Sequence, residues 1–350
     1  MRILFLTILI SALFFSCSQL EQSHTGGNTP VAKYFDYGDT SAVQVAGIKM
    51  IPIKTPVGEF KVWTKRFGNN PRIKVLLLHG GPATGHEYME CFESFFPKEG
   101  FEFYEYDQLG APYSDQPSDS SLWTVDRYVD EVEQVRKAIG GNKNDFYVLG
   151  NSWGGILAME YALKYQGNMK GLIVADMVAS CPDYGKYAAE VLSKTMDPKV
   201  LAEIRDIEAR KDFSNPRYEE LLMPNFYHQH ICRLAEWPDP VVRAFNHMDN
   251  TKVSKEIYVM MQGPSEFGIA GRLANWDIKD RLKEIEVPTL MVGARYDTMD
   301  PKAMEEQSKM VQNGRYLYCP NGSHLCMWDD QKVFMSGVIK FIKDVDEENF

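Results

Sequence analysis

The sequence predicts an α/β protein, a mostly parallel sheet interrupted once by a helical insertion. Three observations carry this. Apolar runs such as "RIKVLLLHGG" and "KGLIVAD" show no polar alternation, which suits strands covered on both faces. Amphipathic segments such as "VDRYVDEVEQVRKAIG" separate them. Over 178–277 the chain becomes irregular, helical and rich in Met, Tyr and charge, before strand character returns at 287–297. Alternating strands and helices imply parallel pairing through right-handed crossovers.

The elements follow in order. From Val43 to Phe67, "IKMIPIKT" and "GEFKVWTKRF" flank Pro56-Val57-Gly58 and read as an antiparallel hairpin. "RIKVLLLHGG" and "FEFYEYD" (101–107) are strands. The segment 125–140 places Val129, Val132, Val135, Ala138 and Ile139 on one helical stripe, and Gly140-Gly141 end it. "DFYVLGN" is a strand leading into a helix from Trp153 to about Tyr165. "KGLIVAD", "VPTLMVGARYD" and "GRYLYCP" complete the sheet, and a helix at about 329–345 closes the chain. The core is therefore expected over 41–177 and 278–350, with a helical cap at 178–277 above the carboxyl ends of the strands. Open α/β sheets bind ligands at that edge.

The first residues stand apart. Arg2 precedes an apolar run from Ile3 to Phe15, followed by Ser16-Cys17. The run is shorter than the ~20 residues that span a bilayer and fits the apolar region of a secretory signal. A cysteine directly after that region resembles a bacterial lipoprotein signal, with Cys17 lipidated and the protein held in the periplasm or cell envelope. Residues 18–40 begin polar, "SQLEQSHTGGNTP", and read as a flexible tether.

Composition narrows the function classes. The chain has 350 residues, 44% hydrophobic, with a formal net charge of −10. No Lys/Arg cluster stands out, so no nucleic-acid partner is expected. The acidic balance suits a cationic substrate such as a free amine. The six cysteines show no metal-ligand spacing and no ligand cluster suggests a metal, and the chemistry read below needs neither a metal nor an organic cofactor.

The chemistry concentrates at "GNSWGG". Gly150-Asn151-Ser152-Trp153-Gly154 matches G-x-S-x-G on a predicted strand–turn–helix. Such a corner strains the backbone and needs tiny neighbours two residues away. It lifts the serine hydroxyl into a cleft at a helix N-terminus, which favours developing negative charge. Serine needs a base, and the base needs an orienting acid. After Ser152 the histidines are 228, 230, 247 and 324, and the first three lie in the insertion. His324 follows the last strand. Asp297 ends the strand before it, with Asp300 a nearby rival. Ser152, Asp297 and His324 thus converge from three strand ends as nucleophile, acid and base. An oxyanion needs donors. The N–H of Trp153 is one, and that of Gly81 in "HGGPA" is expected as the other. His79 lies at the loop base and reads as structural.

With these residues in place, the chain resembles the proline iminopeptidase group of the α/β-hydrolases over most of 45–345. "HGGPA" is similar to that family's HGGPG. "YDQLGAPYSDQP" retains Asp107, Gln108, Gly110, Ser114 and Pro117 of its DQ-x-G loop. "GNSWGG", "GARYD" and "GSHL" resemble its nucleophile, acid and histidine segments, and "MQGPSEF" resembles part of its cap. Ala83 and Ala111-Pro112-Tyr113 depart from the family pattern and are expected at the cleft entrance. The resemblance implies a serine exopeptidase that releases an N-terminal residue, typically proline, from a peptide with a free N-terminus. It also implies cap glutamates that hold the amine, Glu266 by motif and Glu236 as a second candidate. An esterase or amidase with the same triad is the alternative. Oligomeric state is not readable from the sequence.

Overall fold

The computed structural model describes residues 31–38, 40–213 and 215–350. The signal-like segment, Cys17 and the tether up to residue 30 lie outside the described residues.

One eight-stranded sheet organises the molecule, in the order β1-β2-β4-β3-β5-β6-β7-β8. β1 (Ile48–Thr55) and β2 (Gly58–Phe67) form the expected hairpin, and β2 pairs antiparallel with β4 (Glu102–Tyr106). The rest is parallel: β3 (Lys74–Leu78), β5 (Phe146–Asn151), β6 (Gly171–Ala175), β7 (Thr289–Ala294) and β8 (Gly314–Cys319).

The unbroken apolar runs follow from two-sided burial. Leu76, Leu78, Val148, Val174 and Met291 pack into one core beneath the Val125–Ile139 and Trp153–Tyr165 helices. Their strand neighbours Val75, Leu77, Leu149, Ile173 and Val292 pack into the other, with Phe334, Val338 and Phe341 of the Gln331–Asp346 helix. Alternate residues point to opposite faces, so both must be apolar. Each such side chain contributes roughly 1.5–3 kcal/mol of burial.

The Val125–Ile139 helix starts at Thr124, whose hydroxyl accepts from Arg127 N–H, and stops at Gly140, which takes a left-handed φ of 71°. Ala138, expected on its buried stripe, is exposed because Val129, Val132 and Val135 already fill the contact face. At the N-terminal side, Val31–Tyr34 is a short helix rather than tether. The Tyr34 ring is buried over Gly68, where any side chain would overlap it, and its hydroxyl donates to Phe101 O at 3.1 Å.

Between β6 and β7 the chain forms a series of helices, including Cys181–Glu190, Pro198–Ala209, Asp239–Asn250 and Lys252–Met261. A wide-turned π-helical stretch, Met223–Ile231, ends against the loop after β8. There His324 and Leu325 N–H donate to His230 and Ile231 carbonyls at 2.9 and 2.8 Å. Five described cysteines, at 91, 181, 232, 319 and 326, are buried free thiols.

Candidate active site

At the corner after β5, Ser152 has φ 57° and ψ −126°, a conformation side chains rarely adopt. The glycines around it answer to space. A Cβ on Gly150 would overlap Gly154 O, and one on Gly154 would overlap Leu78 O. Strand and helix are packed too closely there for any side chain. Ser152 N–H donates to Ala175 O at 3.0 Å, which ties the corner to the end of β6. Trp153 supplies the first N–H of the helix, a position with no acceptor inside the helix.

His324 and Asp297 meet at the neighbouring strand ends. His324 Nδ1 lies 2.7 Å from Asp297 Oδ1, and the Thr298 hydroxyl lies 3.2 Å from the same nitrogen. With Nδ1–H donating to the carboxylate, Nε2 carries the lone pair. Burial disfavours the charged imidazole, but the Asp297 carboxylate outweighs it, with help from Glu266. The His324 pKa is thus held above its ordinary 6.5. Asp300, the rival acid, instead caps the following helix by accepting from Lys302 N–H.

Ser152 and His324 line one pocket of about 30 Å³, together with Gly80, Gly81, Tyr88 and Glu266. Gly80 N–H is taken up by the Tyr88 hydroxyl at 2.6 Å, and Gly81, at φ 108°, is the next amide along the loop. Glu266 Oε1 accepts from Tyr258 OH at 2.6 Å. Burial raises the Glu266 pKa above 4.5, and His324 and Tyr258 limit that rise. The structure does not bring Glu236 here: it is solvent-exposed and does not line the pocket. An unpaired carboxylate is cheapest in water, and the segment around Glu236 leaves it there. Ala83 and residues 111–113, expected at the cleft entrance, also lie outside this lining. Ala83 is buried with φ 67°, a left-handed conformation at the position where the family pattern has glycine.

Several supporting residues escaped the sequence reading. Tyr88 OH donates to Asn151 Oδ1 at 3.0 Å, while Asn151 Nδ2 lies 3.3 Å from Asp176 Oδ2 and 3.4 Å from His324 O. One buried amide therefore links the glycine loop, the serine corner and the histidine loop. Asp176 directly follows β6, and Cys326 Sγ lies 3.2 Å from its Oδ2. Burial, reinforced by Asp297 and Cys319, drives its pKa well above 3.8 and favours the neutral acid. Gln108 locks two segments, since its amide donates to His79 O at 3.0 Å and accepts from Trp153 Nε1 at 2.7 Å. His79 is fully buried and accepts from Gln108 N–H through Nε2 at 3.1 Å, a structural position. The available signal was a polar side chain inside an apolar or glycine-rich run, which must find a partner once buried.

Such a site can deprotonate a hydroxyl, stabilise an oxyanion and oppose a positive charge, all within one small pocket. A strained serine where a parallel strand turns into a helix, with an Asp and a His two and three strands along the same edge, defines an α/β-hydrolase. The comparisons agree. A family model described as alpha/beta hydrolase fold matches residues 74–331. A proline iminopeptidase of Flavobacterium johnsoniae is 76% identical over 85% of this chain and 99% of its own. One of Elizabethkingia meningoseptica is 74% identical over 86% of this chain and 100% of its own. The crystal structure of proline iminopeptidase from Mycobacterium smegmatis superposes with a TM-score of 0.75 at 25% identity, covering 85% of this chain and all of that one. The chain belongs to the proline iminopeptidase family of α/β-hydrolases.

Proposed function

We propose that the chain releases N-terminal proline from peptides through Ser152, His324 and Asp297. Prolyl aminopeptidase activity follows from family membership. The observation that supports this site is one pocket lined by Ser152, His324 and Glu266, with His324 Nδ1 held 2.7 Å from Asp297 Oδ1.

In this reading His324 Nε2 takes the Ser152 proton as Oγ attacks the carbonyl of the first residue. Trp153 and Gly81 N–H groups receive the oxyanion. His324 then protonates the leaving amine, and the acyl-enzyme remains. Water, deprotonated by His324, attacks the ester and frees proline and Ser152. Asp297 fixes the tautomer and balances the imidazolium. Glu266 opposes the substrate ammonium, because a buried unpaired charge is costly. A blocked amine has no charge to offer it, which restricts cleavage to chain ends.

The test is a panel of aminoacyl-arylamides, with and without an N-terminal acyl block, on the wild type and Ser152→Ala. Proline derivatives should lead, blocking should abolish cleavage, and Ser152→Ala should lose at least ~10³-fold in rate. Equal cleavage of blocked and free substrates sinks the exopeptidase reading.

The location proposed is the cell envelope, with Cys17 as a lipid anchor after export. The support is the run from Arg2 through Ile3–Phe15 to Cys17. Full-length protein should fractionate with membranes and carry a labelled fatty acid, and Cys17→Ala should abolish the labelling. Fatty-acid labelling that survives the substitution, or is absent from the wild type, rules out the anchor.

A further inference from the structure

A second cavity, of about 700 Å³, lies among the helices of the insertion. Its walls include Tyr218, Tyr227, Trp237, Phe245, Met248 and Tyr258. Toward solvent, its edge carries Phe213, Val242 and Val259, which are 37%, 39% and 42% exposed. An apolar rim leading into an aromatic chamber is a feature of ligand entry rather than of an inert surface.

The chamber adjoins the pocket beside Ser152. Phe245 lines both. Thr84 of the inner pocket contacts Met248 of the outer one, Oγ1 to Sδ, at 3.4 Å. Glu266 of the inner pocket accepts from Tyr258 of the outer one at 2.6 Å. The partition between them is thus a few side chains thick. The two differ greatly in size, about 30 Å³ against about 700 Å³. In the peptidase reading the first residue sits at the inner pocket, and the chain beyond that residue must lie elsewhere.

We propose that the outer chamber is the subsite for the residue that follows the N-terminal one, and that it selects aromatic or bulky aliphatic side chains there. This rests on the peptidase reading above. With the first residue at Ser152, the departing chain has to occupy adjoining space. The adjoining space is walled by rings that stack on an aromatic side chain. Glu219, Asp249 and Lys255 also line the chamber, one cation against two carboxylates, so an acidic side chain gains nothing there.

The test compares kcat/KM for Pro-Phe-NH₂ and Pro-Gly-NH₂. Wild type should favour the phenylalanine substrate by about tenfold or more, the effect of burying one aromatic side chain. Val259→Trp and Asn246→Trp, both at exposed positions of the lining, obstruct the chamber without emptying any core. In either variant the ratio should fall toward one. A fold-wide defect lowers both rates and leaves the ratio alone, so the ratio reports the chamber. A wild-type enzyme that cleaves both substrates with a ratio near one overturns the subsite while sparing the peptidase reading. A ratio retained in both variants does the same. A wild type that cleaves neither amide overturns both.

Discussion

Two buried histidine–aspartate pairs share the same contact distance and sit in different surroundings. His324 Nδ1 and His86 Nδ1 each lie 2.7 Å from an aspartate Oδ1, that of Asp297 and that of Asp107. In both, burial opposes the charged imidazole and the carboxylate more than compensates, so both histidines titrate above 6.5. The surroundings separate them. Asp107 spends both oxygens: Oδ1 also accepts from His86 N–H at 2.8 Å, and Oδ2 from Tyr113 N–H at 3.0 Å. The His86 ring is stacked on Trp63, with centroids 4.1 Å apart. Asp297 Oδ2 has no partner among the described residues, and the His324 ring borders the pocket of Ser152. A His–Asp pair is therefore no catalytic signature in itself. What matters is whether the far side of the ring faces a reactant or a neighbour's ring.

The sharpest way to break this comparison is to neutralise each acid in turn. Asp297→Asn removes the acceptor that selects the His324 tautomer, and kcat on Pro-arylamides should fall about 10⁴-fold. Asp107→Asn should leave kcat within about tenfold and show its effect in denaturant midpoint instead. Steady-state kinetics and urea titration on both variants check this. Similar kinetic losses in the two would erase the distinction.

The same contrast explains how much of the molecule was legible in its sequence. The strands were readable because burial on both faces demands unbroken apolar runs, and the loops at their ends inherit fixed positions. That put Ser152, Asp297 and His324 on one edge without any contact being known. His86–Asp107 was invisible as a pair, since nothing local says that a loop histidine will meet an aspartate 21 residues on. Asn151 joins Tyr88 and His324 across separations of 63 and 173 residues, a relation that only folding creates. The outer chamber was hidden for a related reason. Tyr218, Tyr227, Trp237 and Tyr258 are scattered along the insertion, and their common cavity exists only once the helices are assembled. The resemblance offered Glu266 by motif and Glu236 as a second candidate, and the structure separates them: Glu266 is half-buried and lines the pocket with His324, while Glu236 is exposed.

Glu266 allows a finer test of the electrostatics around His324. Its charge helps to raise the His324 pKa, and its own pKa is raised by burial. With neutral His324 imidazole as the proposed base, kcat/KM should climb with pH through the elevated His324 value. Glu266→Gln removes one source of that elevation, and the acid limb should move to lower pH. KM for free-amine substrates should rise about 10²-fold, because the proposed opposing charge is gone. A pH profile of kcat/KM on a prolinamide substrate reads both effects. An acid limb that stays in place would mean that Asp297 and Asp329, without Glu266, set the imidazole's basicity.

The smallest kinetic effect is expected at His86, and it carries its own pH signature. Burial works against the Asp107 carboxylate, but His86 overrides it and holds its pKa below the ordinary 3.8. The two shifts stabilise the fold over different ranges. The raised His86 value contributes fully below 6.5 and is lost as pH rises through it, whereas the lowered Asp107 value contributes above 3.8 and is lost as pH falls through it. The pair therefore acts most strongly between those limits. His86→Phe keeps a ring against Trp63 but deletes the partner, and it should cost roughly 3 kcal/mol in that window. The deficit relative to wild type should shrink as pH rises past the elevated His86 value, while kcat/KM stays within about threefold. Urea denaturation of both proteins from pH 4.5 to 9 resolves the trend. A deficit independent of pH would show that the ring's packing, and not its charge, is what the fold uses, and would leave His324 as the electrostatically active member of the two.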